Sequence, residues 1–391
     1  MVKHSAPQVM KISARQRFGQ HQLAAAGLLL IFLAQCLWLV HLDTFTPSEL
    51  ARIDRGLAQW RHGQVNIQDP YRSPLYYLIS SAPMLHSSAA ANPFTPAAPL
   101  LLARVPWLIF GCLLGASLWY VARRLYGNIA GYMALLLYCF SPLMIQQSAG
   151  YHVQPEIGAA WGTFGAIFTA IAVAHTLYAP RRVLWNWRRI LLLGLSLALA
   201  VGSQFSLWVV LPLALALMVY LAPGRRVATL AIFAVSSATA FVILWGAYSF
   251  HLTAFAAGLR QAYLLDITPQ ALRLPPTYAQ VVAVLDRSNP ALLVLLPLSL
   301  ITFLVWRRTH YFGNTAPLIV AAILICLGML TPHQPGLSFE LVAMAILFVF
   351  VSGVLADLLE TRYRPWILAL VFGLLIGNAV WGISALARLH S

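Results

Sequence analysis

Pro47-Ser48-Glu49-Leu50-Ala51-Arg52 and, further on, Tyr71-Arg72-Ser73-Pro74-Leu75-Tyr76-Tyr77 stand between the first two long apolar runs of the chain and gather charge that the rest of it lacks. Of 391 residues, 60% are hydrophobic and only 9% charged, a balance that one water-soluble core does not accommodate. Apolar stretches near the length of a bilayer crossing recur from end to end. The chain therefore reads as an all-α, polytopic membrane helical bundle. The charged stretch between two spans is the place to look for chemistry.

The formal net charge of +15 would point to nucleic acid in a soluble protein. Here the basic residues stand in short pairs at the ends of apolar runs, where they anchor helices at the interface, so nucleic acid is not an expected partner. The four cysteines, Cys36, Cys112, Cys139 and Cys326, lie inside apolar runs with no paired spacing and read as small buried hydrophobes. The histidines show no HxxxH or HExxH spacing. Neither a metal nor another cofactor is expected.

Apolar runs near 23–42, 99–121, 129–148, 156–178, 190–204, 207–222, 227–250, 290–306, 315–331, 338–356 and 365–387 predict about eleven transmembrane helices. The runs at 190–204 and 207–222 are short and meet at Ser203-Gln204-Phe205-Ser206. They read either as a hairpin that does not fully cross or as two tilted helices. Lys3, Lys11, Arg15 and Arg17 precede the first run, and no small-residue cleavage site closes it. Residues 1–22 thus read as a basic cytoplasmic tail and 23–391 as a single integral-membrane domain.

The pairs Arg123/Arg124, Arg181/Arg182, Arg188/Arg189, Arg225/Arg226, Arg307/Arg308 and Arg362/Arg364 fall on the side of that tail. The positive-inside rule then places the N-terminus in the cytoplasm, and the apolar runs with one-sided arginines suit an inner (plasma) membrane, a charge rule that archaeal and eukaryotic membranes share. Asp43, Glu49, Asp54, Asp69, Glu156, Asp266, Asp286 and Glu340 map to the opposite face, leaving Asp357 and Glu360 inside. Two external loops are long, 43–98 and 251–289. Within the first, Leu50, Ile53, Leu57 and Trp60 recur at helical spacing with Arg52, Asp54, Arg55 and Arg61 between them. This predicts an amphipathic helix over Ser48 to Gly63, lying on the membrane surface and started by Pro47 and Ser48. Residues 87–99, rich in Ala, Ser and Pro, read as an irregular connection.

A carboxylate just past a membrane helix is ordinarily solvated. Glu49 differs because it opens an amphipathic helix, one side of which can face the protein, and the same loop supplies Arg72. A carboxylate that can take a proton and an arginine that can hold a phosphate, at one membrane face, are the parts needed for glycosyl transfer from a lipid-linked phosphate donor.

The order of apolar helix, acidic position, amphipathic helix and then a basic residue before Pro-Leu-Tyr resembles the first external loop of the polyprenyl-phosphate-dependent integral-membrane glycosyltransferases. That is the GT-C superfamily, which includes protein O-mannosyltransferases and the lipid A aminoarabinose transferase. Ala103-Arg104, opening a helix that closes with Ala122-Arg123-Arg124-Leu125-Tyr126-Gly127, resembles the second span of the family, and Ser141-Pro142-Leu143 the end of its third. Tyr151-His152-Val153-Gln154-Pro155-Glu156 stands where the family carries an acidic residue in its second external loop. The likeness covers roughly residues 23–222; beyond them only the hydropathy profile matches.

The resemblance implies that a first-loop carboxylate deprotonates an acceptor hydroxyl or amine, which attacks the anomeric carbon and displaces polyprenyl phosphate with inversion. Carried over residue by residue, it makes Glu49 the base with Glu156 beside it, and Arg72, with Arg52, the holder of the donor phosphate. Tyr71, Tyr151, His152, Gln154 and His333 are candidates to line the substrate site. The chain also departs from the pattern. Ser48 stands at the first position of the usual acidic pair, where a helix cap is the plain alternative. Ser73 replaces a common proline, and spacing sets Gln154 opposite the family's acid, with Glu156 two residues later. The implied partners are a polyprenyl-phosphate sugar donor, an acceptor lipid, glycan or protein, and membrane lipids. The rival reading is a non-catalytic GT-C-like subunit or lipid-binding scaffold among other membrane-complex subunits. A transporter fits less well, since the spans are nearly free of ionisable residues.

Overall fold

The computed structural model describes residues 19–42, 46–67, 69–85, 98–150, 154–178 and 187–388, and among them all regular structure is helical. α1 (Gln20–Leu42) leads into α2 (Pro47–His62) and α3 (Pro74–Ser81). There follow α4 (Ala98–Tyr126), α5 (Asn128–Cys139), α6 (Pro142–Ala149), α7 (Ile157–Thr176) and α8 (Trp187–Ser203). A 3-10 turn at Phe205–Val209 starts α9 (Val210–Leu221), and α10 (Arg226–Ala247) comes next. α11 (Leu252–Gln261) and α12 (Pro275–Ser288) precede α13 (Ala291–Val305), α14 (Phe312–Leu330), α15 (Ser338–Leu359) and α16 (Arg364–Arg388). The chain has the architecture of a multi-pass membrane protein.

Every apolar run read from the sequence is helical where described, but the expected count of about eleven spans is not confirmed. Among the described residues, seven helices are long and apolar enough to cross a bilayer: α1, α4, α7, α10, α14, α15 and α16. The count reaches nine if two bent pairs are each taken as one span. The run at 129–148 is such a pair, α5 and α6, which meet at 64°. Ser141 accepts the N–H of Met144 at 3.4 Å and Pro142 opens α6; a proline cannot continue the helix before it. α12 and α13 meet at 113° across Asn289-Pro290. α8 has 17 residues, beginning Trp187-Arg188-Arg189, and α9 has 12. At ~1.5 Å per residue they span about 25 Å and about 18 Å, short of a hydrocarbon core of about 30 Å. Both pack against α7, and beyond their junction they scarcely touch each other.

α15 is the hub. It is buried along almost its whole length against α14, α5, α7, α4 and α13. Peripheral helices turn apolar side chains outward, among them Val227, Leu304, Val305 and Trp366, as a lipid-facing surface requires.

Charge is divided between the two ends of the bundle. At one end Arg123 donates to Asn128 at 2.7 Å, Tyr126 to the Gly313 carbonyl, and Asn314 to Asp357 at 2.9 Å, while Arg308 pairs with Glu360. This is the basic end, and it holds the two carboxylates expected there. At the other end the segment between α2 and α3 is tied to the α8–α9 junction. Ser73 N–H donates to the Gly202 carbonyl at 3.0 Å and Phe205 N–H to that of Tyr71 at 2.9 Å. The turn between α14 and α15 closes over the start of α7 at this same end. Of the expected tail 1–22, residues 1–18 lie outside the described residues, as do 87–97 of the irregular connection.

The first-loop helix is present, with two corrections. Its cap is Thr46, not Ser48: the Thr46 hydroxyl accepts the N–H of Glu49 at 3.3 Å, and Pro47 takes the first helical position. The helix also does not rest on the surface by an apolar stripe alone. Glu49, Arg52 and Gln59 are buried along with Ile53 and Leu57, because that face packs on α3 and the protein interior.

Candidate active site

At the acidic end five charged side chains are withdrawn from water: Glu49 is 4% exposed, Glu156 3%, Arg52 5%, Arg72 9% and Arg104 0%. Burying charges at this density is costly unless each is matched, and their order shows how it is done. Glu49 occupies the first turn of α2, where the positive end of the helix suits a carboxylate. Arg104, in the first half of α4, grips it with two parallel bonds, Nε to Oε1 and Nη2 to Oε2, both 2.9 Å. This is the fork geometry that makes arginine–carboxylate pairs strong. One turn along α2, Arg52 lies 3.4 Å from Glu49 Oε1 and donates to the Tyr76 hydroxyl at 3.1 Å.

Tyr76 joins this pair to a second one. The Arg72 guanidinium stands 4.8 Å from its ring centroid and that of Arg52 5.6 Å, with Trp107 packed behind at 4.9 Å. Arg72 in turn lies 3.4 Å from Glu156 Oε1. Glu156 stands at the N-terminal boundary of α7, but its side chain does not cap the helix. Its Oε2 accepts the N–H of Leu337 at 2.8 Å, and its own N–H donates to Gln147 at 2.8 Å. The result is one continuous network, Arg104–Glu49–Arg52–Tyr76–Arg72–Glu156, closed by the turn before α15.

Local chemistry holds Arg72 in register. Ser73 caps α3 by accepting the N–H of Leu75 at 3.2 Å while donating to the Gly202 carbonyl at 2.8 Å. A serine where the related pattern has proline thus anchors the segment. Asp69 accepts the N–H of Tyr71 at 2.9 Å and the hydroxyl of Tyr77; burial, reinforced by Asp69, pushes the Tyr77 hydroxyl up.

Two features show what the network can bind. Within the network three guanidinium groups face two carboxylates in a dry place, and the charges of Asp69 and Glu340 act on Arg72 and Glu156 from its edge. In addition, Nε of Arg52 and Nε of Arg72 are buried with no hydrogen-bond partner among the described residues, so both donors are open to a water molecule or a ligand. The unpartnered guanidinium donors favour an anion. The two carboxylates differ in their remaining capacity. Three N–H donors already surround Glu49, whereas Glu156 receives two. Burial pushes Glu156 up to about 7, against the pull of Arg72 and of the Leu337 N–H, and Glu340 adds to the rise.

Of the residues singled out in the sequence, Glu49, Arg52, Arg72 and Glu156 come together here. Tyr71 is half-buried beside them, its ring 5.2 Å from that of Tyr263. Gln154 and His333 are exposed at the same end, outside the network. Tyr151 and His152 lie outside the described residues. Arg104, Tyr76 and Gln147 were missed as site residues. For Arg104 a signal existed: it is a lone charge near the start of a long apolar helix, and such a charge in a membrane span is normally paired or functional. Tyr76 is the tyrosine of the Pro-Leu-Tyr stretch quoted in the sequence but was given no role there, and nothing in the sequence marks Gln147. Among the described residues no three His, Cys, Asp or Glu side chains gather as metal ligands do.

No family model matches the chain, and no curated protein matches it. Solved structures do. The crystal structure of ArnT from Cupriavidus metallidurans in the apo state aligns with 88% of this chain and 62% of its own, at 14% identity and a TM-score of 0.58. The Archaeoglobus fulgidus oligosaccharyltransferase, tethered with an acceptor peptide containing the NVT sequon, aligns with 95% of this chain and 55% of its own, at 12% identity and a TM-score of 0.56. Both have the GT-C fold, and at such identities the likeness speaks for fold alone. This chain has the GT-C fold, and it spans 55% to 62% of the length of these two proteins.

Proposed function

We propose that the chain is an integral-membrane glycosyltransferase that takes a sugar from a polyprenyl-phosphate donor and passes it to an acceptor lipid, glycan or protein at the external face of the membrane. The observation that carries this reading is the buried network with its surplus guanidinium donors, at the acidic end of a bundle with the GT-C fold. Arg72 and Arg52 hold the donor phosphate through the Nε atoms left without partners, with Tyr76 as the platform between them. An acceptor hydroxyl or amine gives its proton to a carboxylate, its oxygen or nitrogen bonds to the anomeric carbon, and polyprenyl phosphate departs with the bonding electrons.

Glu49 and Glu156 form the catalytic pair. From the resemblance alone Glu49 is the base. The geometry supports the reverse division: an incoming hydroxyl can donate to Glu156 without displacing a fork, and a carboxylate near 7 suits a base working at neutral pH. Glu49 then holds Arg104 and Arg52 in place. One observation favours the second reading, a lipid-binding subunit without turnover: both carboxylates are engaged by arginines and almost unexposed.

The purified protein, incubated with polyprenyl phosphate carrying a labelled sugar and a membrane extract as acceptor source, is expected to transfer the label. Arg72→Ala is expected to weaken donor binding by about tenfold or more, with Lys restoring part of it. Donor binding without transfer supports the scaffold. Unchanged donor affinity in Arg72→Ala removes that arginine from the site.

A further inference from the structure

Beneath the turn between α14 and α15 lies a polar chamber of about 20 Å³, walled by Gln280, Gly328, Thr331, Gln334, Gly336 and Glu340. Space of that size takes one water molecule or one hydroxyl group. Gln334 buries both amide atoms, and neither finds a hydrogen-bond partner among the described residues. The Glu340 carboxylate fills the room left by Gly328, where a Cβ would come within 2.7 Å of Oε1; no arginine, lysine or histidine among the described residues pairs with it. Across the chamber, Gly336 has φ +93 and gives its room to Glu156, whose Oε1 a side chain there would overlap. Behind the turn Gln204, 1% exposed, donates to the Pro335 carbonyl at 3.4 Å and leaves its own Oε1 buried without a partner. The chamber and the Glu156 carboxylate therefore share a wall.

A buried polar group without a partner in the protein is open to a water molecule or a ligand group. What fits can be read from their types. A metal ion would use the oxygens of Gln334 and Glu340 and leave the amide N–H groups idle. A phosphate would meet the Glu340 charge. A hydroxyl, like the water it would displace, both donates and accepts, so it can take an N–H from Gln334 while giving its proton to Glu340 or to the Gln334 oxygen. A sugar linked to a phosphate held at Arg72 would lie beside Glu156, and Gly336, which borders both that carboxylate and the chamber, is the point past which one hydroxyl-bearing arm would reach it.

We propose that this chamber is a carbohydrate subsite, in which Gln334 and Glu340 receive one hydroxyl of the sugar carried by the lipid-linked donor. The proposal deepens the glycosyltransferase reading and rests on it. Its test compares three probes on the full chain in nanodiscs: polyprenyl phosphate bare, carrying a hexose, and carrying an N-acetylhexosamine. The unaltered protein is expected to bind at least one sugar-bearing lipid about tenfold more tightly than the bare one, since a site built to hydrogen-bond a hydroxyl discriminates against its absence. Gln334→Leu and Glu340→Gln should each bring that preference to within about twofold and leave the affinity for bare lipid unchanged. The near-isosteric Gln334→Glu, which also removes the amide donor, should do the same and guards against a folding defect in the leucine variant. Retention of the preference in all three variants would mean that the chamber holds structural water only and would overturn the proposal. Equal binding of all three lipids by the unaltered protein overturns it too, while leaving phosphate recognition standing. If none of the lipids binds, the glycosyltransferase reading itself fails.

Discussion

Glu156 carries a proton balance that can be measured apart from any reaction. Its ordinary value is 4.5 and burial lifts it to about 7, so above pH 7 the folded protein buries a charge that the unfolded chain exposes. That cost is fully present above about 7 and is relieved as pH falls from 7 toward 4.5, because there the folded state binds a proton that the unfolded state does not. The melting temperature of the unaltered protein relative to Glu156→Gln should therefore rise as the pH is lowered from about 8 to about 5. A difference that stays flat across that range would show Glu156 to be unperturbed. In turnover, Glu156→Gln should lower the rate by about a hundredfold or more and abolish the rise with pH near 7. Glu49→Gln, by loosening the Arg104 fork and the Arg52 ion pair, should chiefly weaken donor binding and leave that rise in place. The opposite pattern would return the role of base to Glu49. Residue identities legible in the sequence stop at this level: Glu49, Arg52, Arg72 and Glu156 stood out because charge is scarce. The partner of each did not, since Arg104 lies 55 positions from Glu49 and Arg72 lies 84 from Glu156. Pairings at such separations are decided by helix packing.

Elements were legible where the period of apolar residues or a cap announced them, as in α2 and in every long apolar run. Their breaks were less so. Ser141-Pro142 was visible, yet hydropathy is blind to a 64° bend, which changes direction without changing composition. The turn before α15 was likewise read only through His333. Its contribution is instead a backbone one, the Leu337 N–H on Glu156, made possible because Gly336 adopts φ +93 and leaves room for the carboxylate. An L-residue there meets both the steric penalty of that conformation and overlap with Glu156 Oε1. Gly336→Ala is thus expected to push the turn off Glu156, destabilising the protein by about 1–2 kcal/mol and speeding hydrogen exchange at Leu337. Gly63→Ala, also at positive φ but with open space around the added methyl, provides the control: it should share the backbone penalty without altering exchange at Leu337. Equal exchange at Leu337 in both variants would show that the turn does not depend on room for the carboxylate.

At the scale of the whole molecule, the distribution of charge between the two ends was legible from the sequence. A membrane imposes it on each loop separately, and no packing knowledge is needed to see it. The number of crossings was not, because bent pairs and the short helices α8 and α9 carry the same apolar signal as full spans. The same charge asymmetry makes a prediction about orientation, on which the proposed external site depends. Arg225 and Arg226 flank the turn from α9 to α10 and, with Arg307, Arg308, Arg362 and Arg364, belong to the basic end, while His62 at the end of α2 is exposed at the acidic end. If the positive-inside rule governs insertion, the first group faces the cytoplasm. In a background with the four native cysteines replaced, His62→Cys should react with a membrane-impermeant maleimide added to intact cells. Gly224→Cys, exposed in the α9–α10 turn with open space around it, should react only after the membrane is permeabilised. Labelling in the reverse order would place Glu49, Glu156 and Arg72 on the cytoplasmic side, where a donor presented at the external face could not reach them, and the proposed reaction would have to be abandoned along with its site.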